Sequence, residues 1–222
     1  MRVLLIHTAG GEGSVALADT ALAQAIVATE VLPGRSSSER LVPAVRRLME
    51  GSGFRLRELA AVVVVHGPGS FTGVRVGVSA AKGFSEAGGV PLVAVSRLAL
   101  LAAGVGDGVA TVHAVLDAGR GEFYYGKYVG SVCVREALLS GEDVRTAVGD
   151  GVVVVCEAKV AEALGGLRLR MVAEPSAGDA LGLAVERIAA GEFDDTALVD
   201  ANYLRRTDAE IFAKPAVQRA EK

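Results

Sequence analysis

Few residues of this 222-residue chain have types and spacing that could do chemistry, and most of them sit beside glycine. The densest group is GPGSFTGVRVG, Gly67 to Gly77. A strand, a glycine turn and a helix start leave backbone amides free, which is a generic anion site. The specific phosphate motifs do not fit. No Lys-Ser or Lys-Thr follows a glycine at Walker A spacing, and Thr72 stands where a dinucleotide fingerprint needs its third glycine. Ser70 is not framed as G-x-S-x-G, so a nucleophile elbow fails as well. A second candidate is Asp117-Ala118-Gly119-Arg120, at the first hairpin turn of the second half; the equivalent turn of the first half is His7-Thr8-Ala9-Gly10. In duplicated nucleotide-binding folds two such turns face each other across a cleft. An acid at each can hold Mg²⁺, which wants hard oxygen ligands. Here His7 replaces one acid, so Asp117 and Gly119 are candidates for a degenerate nucleotide cleft. A turn-forming Asp bonded to nearby amides is the competing reading.

His7, His66 and His113 lie in or at the ends of strand-like runs, and no pair has helical metal-ligand spacing. They read as hydrogen-bonded structural residues, and no metal is expected. Cys133 and Cys156 form no CxxC and lie beside valines, which predicts buried thiols acting as small hydrophobes. The formal charge of −3 offers no broad basic field for gripping tRNA or DNA unaided. The basic pairs Arg46-Arg47 and Arg205-Arg206 read as solvated surface.

These residues need elements to position them. The predicted helix from Ser70 or Phe71 to Ala87 carries Gly73, Gly77 and Ala81 at i, i+4 and i+8. Glycine in a helix interior costs about 1 kcal/mol relative to Ala, so a bare stripe implies that another backbone comes close. Packing within the domain and an interface with a second chain both satisfy it. Before it, Ser36 to Glu39 matches a capping box. Behind the box, Leu41, Val45 and Leu48 share one helix face over 36–50, with Pro43 expected to kink or delay the helix. The first thirty residues read as a meander with strands near 3–6, 14–18 and 22–30. Strands follow at 61–65 and 92–95, and Ser96 caps a helix over 97–103. After Gly104, Gly106 and Gly108 the programme restarts. Strands are predicted at 109–117, 122–129, 132–137, 152–156 and 167–172, with helices over 158–164 and 180–190, the last capped near Asp179. A repeated meander, strand, helix, strand, helix is not strictly alternating. It points to an α/β fold of two duplicated lobes of the actin, sugar-kinase and heat-shock ATPase type, divided as 1–105 and 106–222. The tail from about 198 is expected to pack back on the first lobe. Hydrophobic residues make up 51%, but aromatics only 5% and Trp is absent, so Val, Leu and Ala must build the core. The four apolar residues near the N-terminus are too few for a signal or a membrane span, which predicts a soluble, cytoplasmic protein without membrane association.

The segment HGPGSFTGVRVGVSAAKGFSEAGGVPLVAVSRLALLA, His66 to Ala102, resembles the signature of the TsaB (YeaZ-type, Gcp-like) family. VLLIHTAGGEGSVALAD, LDAGRGEFYYGKY and ANYLRR are similar to further family segments in order. The resemblance implies a two-lobed actin-like fold and a non-catalytic subunit acting with a TsaD-like catalytic subunit and a TsaE-like ATPase. Together these make threonylcarbamoyladenosine in tRNAs reading codons that start with A. It further implies a homodimer when alone, tRNA contact only through the complex, and no required cofactor, with ATP or ADP and Mg²⁺ at the level of the complex. Association would use the helices at 36–50 and 71–87, which favours the interface reading for Leu41, Val45, Leu48, Phe71, Gly73, Val74, Gly77, Val78 and Ala81. The family usually has Asp where His7 stands, which weakens a nucleotide site. An ATPase or kinase acting near Asp117 is the alternative.

Overall fold

A computed structural model describes residues 1–106 and 108–205. Arg206, half of one basic pair and the end of ANYLRR, lies outside the described residues, as does the rest of the tail assigned to the second lobe. The first sheet is built from β1 (Arg2–His7), β2 (Gly13–Asp19), β3 (Ile26–Leu32), β4 (Ala61–Val65) and β5 (Leu92–Val95) in the order β3-β2-β1-β4-β5. The second uses β6 (Thr111–Gly119), β7 (Glu122–Val129), β8 (Val132–Ser140), β9 (Val152–Val155) and β10 (Arg168–Met171) in the order β8-β7-β6-β9-β10. In each, three antiparallel strands lead into two parallel ones. The repeated strand order gives two duplicated mixed-sheet lobes of the actin-like type.

β4 reads AVVVV and is buried along its whole length, as a central strand covered on both faces must be. Helix α1 (Ser37–Ser52) packs on β2 and β3, and α2 (Phe71–Gly88) on β1 and β4. The second lobe has shorter counterparts, α4 (Gly141–Val148) and α5 (Ala158–Ala163). The last helix of each half crosses over. In α3 (Arg97–Ala103), Leu98 and Leu101 join Val112, Leu116 and Tyr128 of the second sheet. In α6 (Ala180–Ala190), Ala184 and Ile188 join the first-lobe core. The chain then returns to the first lobe. Asp194 bridges to Leu92, and the Asn202 amide donates to the His66 carbonyl at 2.7 Å.

Several local expectations are corrected. The third strand begins at Ile26, because residues 20–24 turn through the Leu22 amide bond to the Asp19 carbonyl. The capping box is not formed: the Ser36 hydroxyl donates to the Pro33 carbonyl and caps no helix amide. Helix α1 runs through Pro43 from Ser37, so Pro43 does not delay its start. Asp179 accepts from the Ser176 amide and hydroxyl and caps nothing in α6. Cys133 is exposed on β8, whereas Cys156 is half-buried and burial raises its thiol to about 11.

Candidate functional site

The glycines of the signature segment receive the first lobe's hairpin turn. A Cβ added at Gly69 would come within 3.0 Å of the Ala9 carbonyl oxygen, and one at Gly73 within 3.0 Å of the Thr8 carbonyl oxygen. At Gly77 it would overlap the Thr8 hydroxyl, with Ile6 in ordinary contact beside it. Hydrogen bonds fix the seat: the Ser70 amide donates to Ala9 O at 2.9 Å, and the Thr8 hydroxyl donates to Gly73 O at 2.7 Å. Ser70 caps α2, its hydroxyl accepting from the Gly73 amide.

That geometry turns most of the interface candidates inward. Gly73 and Gly77 receive the end of β1 and the turn after it, and Ala81, Val74 and Val78 are buried with them. Leu41 and Val45 are buried in the same core, and Leu48 packs against it. Of the nine candidates, Phe71 alone is strongly exposed, at 52%. Its ring carries the Arg75 guanidinium at 3.6 Å and tilts against Tyr203. The free surface of the two helices lies opposite. Val42 is 55% exposed, and Gly83 has open space around it. A groove of about 430 Å³ lies between the helices, lined by Val42, Met49, Phe54, Leu56 and Phe84, with the candidate Val45 at its floor.

Between the lobes lies a cavity of about 530 Å³ walled by Phe71, Gly119, Arg120, Tyr124, Tyr203 and Arg205. Gly119 lines it; Asp117 does not. Asp117 accepts from Lys159 Nζ at 2.7 Å and from the Gly119 amide at 3.1 Å. Burial opposes its charge, but these bonds prevail and hold the carboxyl below its usual range. A chain of ion pairs continues inward. Lys159 lies 3.6 Å from Glu157, and Arg97 lies 3.8 Å from Glu157 and 2.9 Å from Glu174. Glu174 also accepts from the Gly11 amide at 3.1 Å. The turns at 8–11 and 117–119 are therefore tied together through the protein's own charges.

His7 is wholly buried beside this chain. Burial, and then the nearby Arg97 charge, lower its pKa to about 3, so the ring is neutral. His113 is buried against the Tyr125 hydroxyl at 2.8 Å, and His66 Nδ1 lies 3.1 Å from the Asp200 carbonyl. Among the described residues no three His, Cys, Asp or Glu side chains gather as a metal site, and no helix is long and apolar enough to cross a membrane.

Sequence reasoning missed Arg97, Glu157, Lys159 and Glu174. The available signal was slight: one charge opening the otherwise apolar helix RLALLAA. Glu174 lies in irregular chain before Pro175 and carried none.

The model of the family described as TsaD, tRNA N6-adenosine threonylcarbamoyltransferase, matches residues 24–193. A crystal structure described as an uncharacterized protein with similarity to peptidase YEAZ, from Pseudomonas aeruginosa, is 30% identical. It superposes with a TM-score of 0.77 over 92% of this chain and 99% of that one. The chain belongs to the TsaB/YeaZ family. YeaZ from Pseudomonas aeruginosa superposes with a TM-score of 0.75 at 29% identity. The tRNA threonylcarbamoyladenosine biosynthesis protein TsaB of Escherichia coli is 37% identical over 130 residues, 58% of this chain and 55% of that protein. The chain thus spans about half the length of the curated relatives it matches.

Proposed function

We propose that this chain serves threonylcarbamoyladenosine formation in tRNA as a non-catalytic subunit, docking a TsaD-like catalytic partner through the outward face of α1 and α2. The observation that carries the reading is the apolar groove between two long helices on a member of the TsaB/YeaZ family. An exposed apolar surface of this kind favours burial against a partner. The outward residues of α2 near it are small, with Ala80 and Gly83 on that side, so a partner helix could approach closely. Between the two hairpin turns, Asp117 is engaged by Lys159 and Arg97 by two carboxylates, which favours a scaffold over an ATPase or kinase. In this reading ATP or ADP with Mg²⁺ is handled by the TsaD-like and TsaE-like partners in the cytoplasm, and tRNA is contacted through the complex. When alone, the same face would pair two copies of the chain.

Co-expression with a TsaD-like subunit, followed by size-exclusion chromatography, tests it. Val42→Glu and Gly83→Glu change exposed positions, so each should keep a cooperative unfolding transition and lose co-elution. Reconstituted threonylcarbamoyladenosine formation should fall in parallel. Retained co-elution of both variants would put the docking surface elsewhere.

A further inference from the structure

The ion-pair chain ends in an arrangement that the docking role does not use. The Glu174 Oε1 atom receives two convergent donors, the Gly11 amide at 3.1 Å and Arg97 Nη2 at 2.9 Å. The guanidinium is buried, whereas the Gly11 amide and the Glu174 carboxylate meet it from the surface. The Arg97 side chain is 5% exposed, whereas that of Glu174 is 41% exposed. Glu174 belongs to no helix or strand, and Pro175 behind it favours an extended backbone. Gly10 makes room, since a Cβ there would overlap Glu174 Oε1. A backbone amide and a buried guanidinium aimed at one oxygen would receive any oxyanion, and charge-assisted bonds of this type are the stronger ones. The neutral His7 ring lies alongside, its Cε1 3.3 Å from the same Cβ position.

We propose that Glu174 is a built-in plug on an oxyanion site formed by the Gly11 amide and the Arg97 guanidinium, and that it makes this site reject phosphate-bearing ligands. With Glu174 seated, the Arg97 guanidinium is shared between two carboxylates, Glu174 and Glu157, and the Gly11 amide is occupied, so an incoming anion finds both donors engaged. Without it, Arg97 and the Gly11 amide are released for an external phosphate. The inference is independent of partner docking, because the groove between α1 and α2 shares no residue with this site.

Inorganic pyrophosphate is the probe, with isothermal titration on the full chain as the readout. The parent chain should bind weakly, and Glu174→Ala should bind at least about tenfold tighter, a difference of about 1.4 kcal/mol. Glu174→Gln, which loses charge but keeps an acceptor, should gain less. The amide resonance of Gly11 should move on titration of Glu174→Ala with pyrophosphate. Equal binding by the parent and Glu174→Ala would overturn the proposal, and so would tighter binding that leaves the Gly11 amide unmoved. If Glu174→Ala does not unfold cooperatively, Glu174→Gln decides: a gain supports the plug, and no gain removes it.

Discussion

The two lobes share one strand order, yet their outer helices differ. α1 and α2 run 16 and 18 residues, and their counterparts α4 and α5 run 8 and 6. The hairpin turns differ as well. In the first lobe Thr8 and Ala9 are pressed into the glycine seat of α2, and His7 is buried. In the second, Asp117 remains at the surface in an ion pair with Lys159, 66% of whose side chain is exposed. Duplication of a backbone therefore does not duplicate its energetics. One copy holds its turn by close packing, where a single extra carbon is felt. The other holds its turn by charges in contact with water, which are individually weak. The close-packed copy can display long helices on a rigid base, which suits a docking surface.

The largest effect that could break this contrast is Gly77→Leu. Its Cβ would overlap Thr8, and a loss of about 3 kcal/mol in urea unfolding is expected for such overpacking. Six residues along the same helix, Gly83→Ala meets open space and should raise stability by about 1 kcal/mol. An unchanged midpoint for Gly77→Leu would mean that α2 is not seated on β1. It also follows that Gly77→Leu cannot report on docking, because it damages the fold first.

The two turns should also titrate differently. His7 has its folded pKa lowered to about 3, below the value of about 6.5 expected when unfolded. Between those values the unfolded chain binds a proton that the native chain refuses, so stability is full above about pH 6.5 and falls as pH drops. A loss of about 2 kcal/mol between pH 7 and pH 5 follows from that shift. His7→Gln should remove that slope, and an identical slope in the variant would refute the assignment.

Asp117 gives the smallest effect. Its folded pKa lies below the usual carboxylate range, so its contribution is present above about pH 4 and is lost as pH falls further. Asp117→Asn should cost less than about 1 kcal/mol at pH 7 and progressively less as pH falls below about 4, read as differences in Tm. A larger cost at neutral pH would mean that the second turn is held as firmly as the first.

Much of the architecture was legible in the chain. Val-rich runs marked β4 and β9, and Ser96 announced a helix cap that the structure forms. Periodicity also placed Leu41 and Val45 on one face of α1. It could not say which surface that face meets, and the family resemblance then assigned it to a partner. The error at Gly73 and Gly77 has the same origin. Spacing shows that something must come close, but only the approach of Thr8, 65 residues away from Gly73, shows what.

By itself, then, the sequence determined most strands, the main helices and their repeat, because these follow from local periodicity and turn residues. Tertiary structure alone decided that the signature glycines face inward. It alone brought Arg97, Glu157 and Glu174 together from separate segments and crossed α3 and α6 between the lobes. Those outcomes depend on which distant surfaces meet. A one-dimensional pattern records that a surface is small, apolar or charged, and the neighbour that fills it is chosen only when the sheets pack.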